Sequence, residues 1–494
     1  MKRILSSRSS LLVLAMFVSA EMYYWSTGLD GFRPLVWIAP IPLLMLSTQV
    51  RRRSIVAAAF GAYLLGGLNL VPFMAKVVPT SVIAGGLIIP ALAFALAVVA
   101  FRDAILHLDH PLSFAAFPIG WTSYEYLLSI FSPHGTAGSI AYTQSDFTPL
   151  LQFASLTGIA GITFILTLIP AAIAAAFRYR QRRTHALVAI AVAFVVGFSS
   201  LGFGWIRLAS PPTGQRVPVG LCAIDSTTIY FNTRERSKAL MVVGEYTRAI
   251  ATLAERGATV VVLPEKLVGV TNQYYDEVLS TFGNAARQAR VTVLAGFNRL
   301  DTVARRNVAV LISREGDVLA EYDKVHFIPG LEQNYTRGRS AVQTTIGNGS
   351  AGIEICKDMD FPHWSRLYGR TGVGLVLVPA WDFGTDGWLH SRMAMMRGVE
   401  NGFAVARAAN NGSLMVSDAY GRIVGEASSS GAGTALLRAD VYPGSGRTFY
   451  SRTGDWFPQV NILIILILLV IVVRRIAQVL LARRTRTDRS TQRE

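Results

Sequence analysis

The first two hundred residues of the chain consist mainly of long apolar runs separated by short polar or basic loops. A membrane-spanning helix needs about 20 predominantly apolar residues. Seven runs approach or reach that length before residue 208, and one follows near the C-terminus: 11–24, 35–48, 55–73, 81–101, 112–130, 150–177, 186–203 and 457–473. The pattern predicts a membrane domain of about seven transmembrane helices over 1–207, and a C-terminal transmembrane helix with a basic tail over 457–494.

Residues 208–456 follow a different pattern, in which short apolar runs alternate with amphipathic segments. The strand-like runs include VPVGLCAID, ATVVVLPE, VTVLAGFN, NVAVLIS, AGIEIC, VGLVLVPA and GFAVARAAN. Helical spacing is found near 234–256, 276–290 and 389–401. Alternating strands and helices indicate an α/β domain with buried strands.

The net charge of +16 raises the question of a nucleic-acid partner, but its distribution favours a membrane protein. The arginines cluster beside apolar runs, at 51–53, 178–183 and 474–489. Such clusters mark the cytoplasmic ends of transmembrane helices. Since no nucleic-acid-binding motif is visible, we expect no nucleic-acid partner.

The basic loops also predict an orientation. They follow the second, fourth and sixth runs. Of the alternate loops, one contains Arg33, one contains Lys76, and the loop 132–150 contains neither lysine nor arginine. This bias places both termini in the cytoplasm and residues 208–456 on the outside. The first run could instead be a cleavable signal peptide, and cleavage would leave the α/β domain on the same side.

Three segments that lie at or near the ends of predicted strands contain reactive side chains. Glu265 ends VVVLPE, Lys324 lies in EYDKVHFIPGLE, and Cys356 lies in GIEICKDMDFP. Taken singly, they could be an ion-pair partner, a solvated lysine and a core cysteine. Together they supply a base, a cation and a thiol nucleophile, which are the groups that cysteine-based acyl chemistry needs. The other cysteine, Cys222, lies within a strand-like run and is predicted to be a small core residue.

The order glutamate, lysine, cysteine resembles the nitrilase (carbon–nitrogen hydrolase) superfamily, and its position between membrane spans is similar to that in apolipoprotein N-acyltransferases. The resemblance implies a four-layer α-β-β-α sandwich. It implies Glu265 as general base and Cys356 as the nucleophile that forms a thioester. Lys324 and the backbone N–H of Lys357 would stabilise the oxyanion. Glu332 resembles the second glutamate of the superfamily, which positions the amine or water, although a structural pairing is the alternative.

Further residues match family segments and are expected to bind substrate or support the site. These are Lys357, Asp358, Trp381, His390 and, inside the fifth apolar run, Glu125. Arg397 and Glu400 are three residues apart on a predicted helix, so we expect them to pair with each other rather than to bind substrate. Neither a metal-ligand cluster nor a nucleotide motif is visible, and no metal or cofactor is predicted.

The resemblance implies transfer of a fatty acyl chain from a phospholipid to the N-terminal amine of a diacylglyceryl lipoprotein. The protein would lie in the bacterial inner membrane with its catalytic domain facing the periplasm. The chain has Cys-Lys-Asp where typical members have Cys-Tyr-Glu, Leu-Pro-Glu for Trp-Pro-Glu, and no Gln-Gly-Asn after the first strand. The alternatives are a membrane-tethered amidase or nitrilase-type hydrolase and a non-catalytic membrane scaffold.

Overall fold

The computed structural model describes residues 7–29, 31–108, 110–211, 214–300, 305–431, 433–468 and 470. The N-terminal α-helices are α1 (Arg8–Thr27), α2 (Ile41–Ser47), α3 (Arg52–Gly66), α4 (Val71–Val77), α5 (Thr80–His107), α6 (Ala116–Phe131), α7 (Thr148–Leu151), α8 (Ala154–Thr157), α9 (Ile159–Arg178) and α10 (Arg183–Ala209). The remaining ones are α11 (Arg236–Glu255), α12 (Tyr275–Ala289), α13 (Pro362–Thr371), α14 (Gly387–Asn401), α15 (Phe449–Thr453) and α16 (Trp456–Leu468).

Within the described residues, four helical segments are long and apolar enough to cross a membrane. They are Arg52–Val77, which joins α3 to α4, together with α5, α9 and α10. The predicted second span is instead a 3-10 turn followed by the short α2, because prolines interrupt the apolar run. The predicted sixth span begins only at α9, since Gly158 adopts a φ of +67° and ends α8 there. The C-terminal span is described only to residue 470, so most of 457–494 lies outside the described residues.

The α/β domain contains two mixed sheets. The strands are β1 (Val217–Ile224), β2 (Val260–Val262), β3 (Val268–Val270), β4 (Thr292–Arg299), β5 (Arg306–Ile312), β6 (Val318–Asp323), β7 (Val342–Ile346), β8 (Gly349–Ile353), β9 (Leu375–Trp381), β10 (Ala404–Asn410), β11 (Ser413–Ser417), β12 (Ile423–Ser428) and β13 (Thr434–Val441). Over the described residues, the first sheet has the order β13-β1-β2-β4-β5-β6, with β3 beside β4. The second has the order β12-β11-β10-β9-β8-β7.

The buried apolar residues form three layers that account for the sandwich. One core lies between the sheets and includes Leu221, Leu294 and Leu377. A second joins the first sheet to α11 and α12. A third continues from the second sheet and α14 into the membrane domain, where Met396 belongs to the same cluster as Leu151. A multi-span helical domain and the four-layer α-β-β-α fold are therefore confirmed, whereas the count of about seven spans and the domain boundaries stay predictions.

Candidate active site

The two sheets bring the three predicted reactive residues to one place. Glu265 follows β2 and Lys324 follows β6, both in the first sheet, whereas Cys356 follows β8 in the second. A hydrogen bond of 3.2 Å from the Glu265 amide to the Ala380 carbonyl connects the sheets beside the site. Residues separated by up to 91 positions in the sequence thus meet at one end of the sandwich.

Lys324 lies at the centre of a buried charged cluster. Its Nζ atom is 2.8 Å from Glu265 Oε1 and 2.9 Å from Glu332 Oε2. Asn307 Nδ2 donates to both carboxylates, at 2.6 Å to Glu265 and 3.0 Å to Glu332. Burial acts to lower the pKa of Lys324, but the two carboxylates outweigh it and hold that pKa well above its ordinary value. Lys324 therefore keeps its positive charge.

Glu332 is held as a carboxylate. It accepts a hydrogen bond of 3.0 Å from the Ile328 amide, and Lys266 Nζ lies 2.5 Å from its other oxygen. Burial opposes ionisation, but Lys324 and Lys266 together lower the pKa of Glu332 to about 2. The structural pairing considered for Glu332 is present, and the carboxylate also lies beside the proposed base.

Cys356 occupies a strained position in a 3-10 turn, Cys356–Asp360. Its φ of +45° lies in the left-handed region, which costs a non-glycine residue on the order of 1–3 kcal/mol. The residue is 8% exposed, and its Sγ lies 3.5 Å from the Trp381 carbonyl oxygen. Burial and the charge of Glu265 raise the thiol pKa, against the opposing effects of Lys324 and Arg407. The raised pKa favours the neutral thiol of Cys356 over the thiolate.

Glu265 has an oxygen available for that proton. Its Oε1 accepts from Lys324 and Asn307, whereas its buried Oε2 has no hydrogen-bond partner among the described residues. A buried acceptor without a partner costs about 1–3 kcal/mol. Such an atom calls for an explanation, and a catalytic role is one of those that apply.

Asp358 fixes the nucleophile turn to the strand end that contains Lys324. One carboxylate oxygen accepts from the Val325 and His326 amides at 3.2 and 2.7 Å. The other accepts from Tyr322 Oη at 2.7 Å and from the Ile355 amide at 3.2 Å. Asp358 is fully buried and both of its oxygens accept these hydrogen bonds, so it supports the geometry of the site.

Lys357 and His390 belong to a second set of ion pairs, formed with Asp360 of the turn and with Asp386. Lys357 Nζ is 2.9 Å from Asp360 Oδ2, and His390 Nδ1 is 3.7 Å from Asp360 Oδ1. His390 Nε2 is 3.1 Å from Asp386 Oδ2. Burial acts to lower the pKa of His390, but Asp360 and Asp386 outweigh it and raise the pKa to about 10. The Lys357 side chain is thus occupied by an ion pair.

Trp381 ends β9 and contacts Cys356 through its carbonyl group. Its indole ring packs edge-on against Phe231, with the ring centroids 5.1 Å apart. The next residue, Asp382, forms a bidentate ion pair with Arg407. Arg407 Nη1 lies 2.9 Å from Asp382 Oδ2, and Nη2 lies 2.5 Å from Oδ1. Because both partners are buried, the pair fixes β9 against β10 beside Cys356.

Glu125 lies away from this cluster and organises the membrane domain. It accepts hydrogen bonds from Trp121 Nε1, Ser139 Oγ, Thr163 Oγ1 and the Ile140 amide, at 3.0, 2.6, 2.6 and 2.9 Å. These contacts tie α6 to α9 and to the loop 132–139. Glu125 also lines a cavity of about 340 Å³ between the two domains, together with His326 and Phe361. Cys356 does not line that cavity, so the cavity is adjacent to the reactive cluster and not part of it.

Arg397 and Glu400 pair as expected, and they join the two domains. Arg397 Nε is 3.2 Å from Glu400 Oε2, and both side chains are fully buried. Glu400 Oε1 accepts from the Ile159 amide at 2.7 Å, and Arg397 donates to Tyr142 Oη at 3.2 Å. The pair thereby connects α14 to the start of α9.

Cys222 is a core residue, as predicted. It is fully buried in β1 among the apolar residues that pack against α11. Burial raises the pKa of its thiol, and neither cysteine forms a disulfide.

Two members of the cluster were not identified from the sequence. Asn307 begins the strand-like run NVAVLIS, where a polar residue normally marks only a strand end. Lys266 directly follows Glu265, and that adjacency was the available signal. Asn307 enters the site through the pairing of β5 with β4 and β6, and Lys266 meets Glu332 because Glu332 follows β6 in the same sheet.

Both parts of the chain are similar to known proteins. Residues 221–445 match the family model described as carbon–nitrogen hydrolase, and residues 19–172 match that of the apolipoprotein N-acyltransferase N-terminal domain. The chain is an apolipoprotein N-acyltransferase-like membrane protein of the nitrilase superfamily. The two matches together extend from the first helix to the end of the sandwich.

Relatives match this family member over most of its length. The apolipoprotein N-acyltransferase of Geobacter metallireducens is 26% identical over 86% of this chain and 88% of its own. That of Brucella melitensis is 25% identical over 89% of this chain and 90% of its own. Among solved structures, an amidase from Nesterenkonia sp. covers 51% of this chain and 95% of its own, with 22% identity and a TM-score of 0.40.

Proposed function

We propose that this protein is a membrane N-acyltransferase that moves a fatty acyl chain from a phospholipid, through a thioester on Cys356, to the N-terminal amine of a diacylglyceryl lipoprotein. The observation that carries the proposal is the free Oε2 of Glu265 in the buried cluster of Glu265, Lys324 and Glu332. A neutral thiol beside a base and a fixed cation is suited to forming and resolving a thioester.

The steps follow from the proposed roles of the residues. Glu265 accepts the thiol proton as sulfur attacks the ester carbonyl of the phospholipid. Lys324 stabilises the tetrahedral oxyanion, and the protonated Glu265 returns its proton to the departing lysophospholipid oxygen. The lipoprotein amine then attacks the thioester, and Glu265 takes up the amine proton. Glu265 passes this proton to the sulfur of Cys356, which leaves as a thiol.

The attachment of the sandwich to the membrane domain supports a lipid substrate. The helix α14 packs on the membrane domain through a shared apolar core, and the Arg397–Glu400 pair bonds to α9 and its neighbouring loop. A hydrolase of small soluble amides gains nothing from such an attachment. We therefore propose that residues 208–456 form a periplasmic catalytic domain seated on residues 1–207, in the inner membrane.

The test is to incubate the purified full-length protein with phospholipid alone. A transferase must exclude water from its thioester, so we expect one acyl mass on Cys356 and about one equivalent of lysophospholipid per enzyme. Adding a diacylglyceryl peptide with a free N-terminus should discharge the acyl group. Cys356→Ala should abolish labelling, Glu265→Gln and Lys324→Ala should slow it at least ~100-fold, and Cys222→Ala should retain it.

Continuous release of free fatty acid without any acceptor would instead favour a hydrolase. Turnover of small amides without reaction of phospholipid would reject the acyltransferase proposal.

A further inference from the structure

A second lysine lies inside the reactive cluster, next to the proposed base in the sequence. Lys266 Nζ is 2.5 Å from Glu332 Oε1 and 3.8 Å from Glu265 Oε1. It also lies 5.0 Å from the centroid of the Tyr335 ring. Its side chain is only 12% exposed, whereas an ordinary surface lysine keeps its ammonium in water. The charge of Lys266 is therefore directed at the two glutamates.

The backbone of Lys266, like that of Cys356, has a positive φ, which is rare for a residue other than glycine. Its φ is +48°, in the left-handed region that glycine and asparagine adopt most easily. A lysine in that conformation is strained, at a cost in stability. The ion pair with Glu332 and the contact with Tyr335 are the interactions that offset this cost and aim the ammonium inward.

The charges of the cluster balance only when Lys266 is included. Glu265 and Glu332 contribute two negative charges, and Lys324 and Lys266 contribute two positive ones. Asn307 is neutral and donates to both carboxylates. Nearby, Arg407 and Asp382 form their own pair and cancel each other.

Without Lys266, two carboxylates would share the single ammonium of Lys324, at 2.8 and 2.9 Å. Carboxylates that share a site in this way do not both stay ionised, and one of them takes up a proton at higher pH than usual. A proton taken up by the pair is shared between the two carboxylates, so the fraction of Glu265 that can act as the base for Cys356 falls.

We propose that Lys266 is a positioning residue that holds Glu332 ionised and so leaves Glu265 free to accept the proton of Cys356. The inference depends on the proposed function only for the assignment of Cys356 as nucleophile and Glu265 as its base. It requires neither a phospholipid nor a lipoprotein.

The test follows alkylation of Cys356 by iodoacetamide, measured by intact mass in the full-length protein with Cys222→Ala as background. Sulfur bonds to the methylene carbon, iodide leaves, and Glu265 takes the thiol proton. The rate should fall at low pH as the carboxylate pair becomes protonated. Lys266→Met should move this acid limb up by about one pH unit or more, since an opposite charge in contact shifts a carboxyl pKa by 1–3 units. Lys266→Arg should leave it nearly unchanged.

A second variant tests whether charge, and not packing, is responsible. Adding Glu332→Gln to Lys266→Met removes one charge of each sign, so the acid limb should return to its parental position even if the absolute rate is lower. Lys238→Met, which removes an exposed lysine paired with Glu235 on α11, serves as the matched control and should behave as the parent. Lys266→Gln replaces Lys266→Met if thermal unfolding shows that the methionine variant does not fold.

An unchanged acid limb in Lys266→Met would overturn the proposal. So would equal shifts in the Met and Arg variants, or a double variant that remains shifted, because these results indicate lost packing. Since alkylation needs no acyl donor, a normal Lys266 effect combined with no phospholipid acylation would reject only the proposed substrate.

Discussion

At the scale of single residues, the site combines a thiol that is difficult to ionise with one carboxylate, that of Glu332, that stays ionised. Burial raises the pKa of Cys356, while Lys324 and Lys266 lower that of Glu332 to about 2. The unpartnered Oε2 of Glu265 lies in the same buried cluster. This arrangement suits a general base that removes the thiol proton during attack better than a preformed thiolate.

His390 gives a residue-scale prediction about stability and pH. Its pKa is raised from 6.5 to about 10 by Asp360 and Asp386, against the effect of burial. A raised pKa in the folded state means that the stabilisation is fully present below pH 6.5 and is lost as the pH rises towards 10. His390→Gln should therefore lower the Tm at pH 6 and flatten the decline of Tm between pH 6.5 and 10.

The measurement is thermal unfolding of the detergent-solubilised protein across this pH range. His107→Gln, at the exposed end of α5, is the control and should keep the parental profile. If His390→Gln shows the same alkaline decline as the parent, the ion pairs of His390 do not contribute to it.

At the scale of elements, the nucleophile turn is held from both sides. Asp358 ties it to the end of β6 within the sandwich. The loop 132–139 of the membrane domain holds its other end, where the Thr136 amide donates to the Asp360 carbonyl at 3.0 Å. The position of Cys356 thus depends on an element of the membrane domain as well as on its own sheet.

Gly135 in this loop gives an element-scale prediction. It has a φ of +52°, and a Cβ placed there would lie 2.2 Å from the Asp360 carbonyl oxygen. Gly135→Ala should therefore displace the nucleophile turn and slow acylation of Cys356 by at least ~10-fold, because misplacement by an ångström at a reacting atom is costly. Acyl-enzyme formation followed by intact mass is the measurement.

The matched control is Gly138→Ala in the same loop. Its added Cβ would meet nothing closer than Leu128 Cδ2, at 4.0 Å. Equal rates for the two variants, with both proteins folded, would show that the contact between the loop and the turn does not influence the nucleophile.

At the scale of the whole molecule, the sandwich is built onto the membrane domain and not merely tethered to it. The apolar core of α14 continues into α9 and its neighbours. Trp456 Nε1 donates to the Leu156 carbonyl at 2.8 Å, and Gln152 Nε2 donates to the Tyr420 carbonyl at 2.7 Å. Because the α/β domain is fixed to the membrane domain, the orientation of the membrane helices determines on which side of the membrane it lies.

The orientation is the whole-molecule prediction, and it follows from the arginines at 51–53 and 178–183. In a Cys222→Ala/Cys356→Ala background, a single cysteine at the exposed Ser430 should react with a membrane-impermeant maleimide in intact spheroplasts. A cysteine at Gln181, between α9 and α10, should react only after the membrane is permeabilised. Protection of Ser430→Cys in intact spheroplasts would place the α/β domain in the cytoplasm instead.

The sequence pattern was sufficient for an α/β domain that follows a set of apolar helices, whereas the four-layer sandwich was implied by the family resemblance. The roles of Glu265, Lys324 and Cys356 stay predictions. Period and length distinguish strands from helices, and β1, β4, β10 and α14 lie within one or two residues of their predicted positions. The membrane spans were less well predicted, since hydropathy does not register the break at Gly158 or the short helix after Pro40.

What the local sequence could not determine is how distant side chains combine. Lys266, Asn307 and Asp358 become parts of one site only because β5 and β6 pair beside β4, and because the turn after β8 reaches the first sheet. Likewise, the contact of Gly135 with the nucleophile turn exists only when the two domains pack. Hydrophobic periodicity records which face of an element is buried, whereas the tertiary structure decides which charges share that buried space and therefore which of them can take a proton.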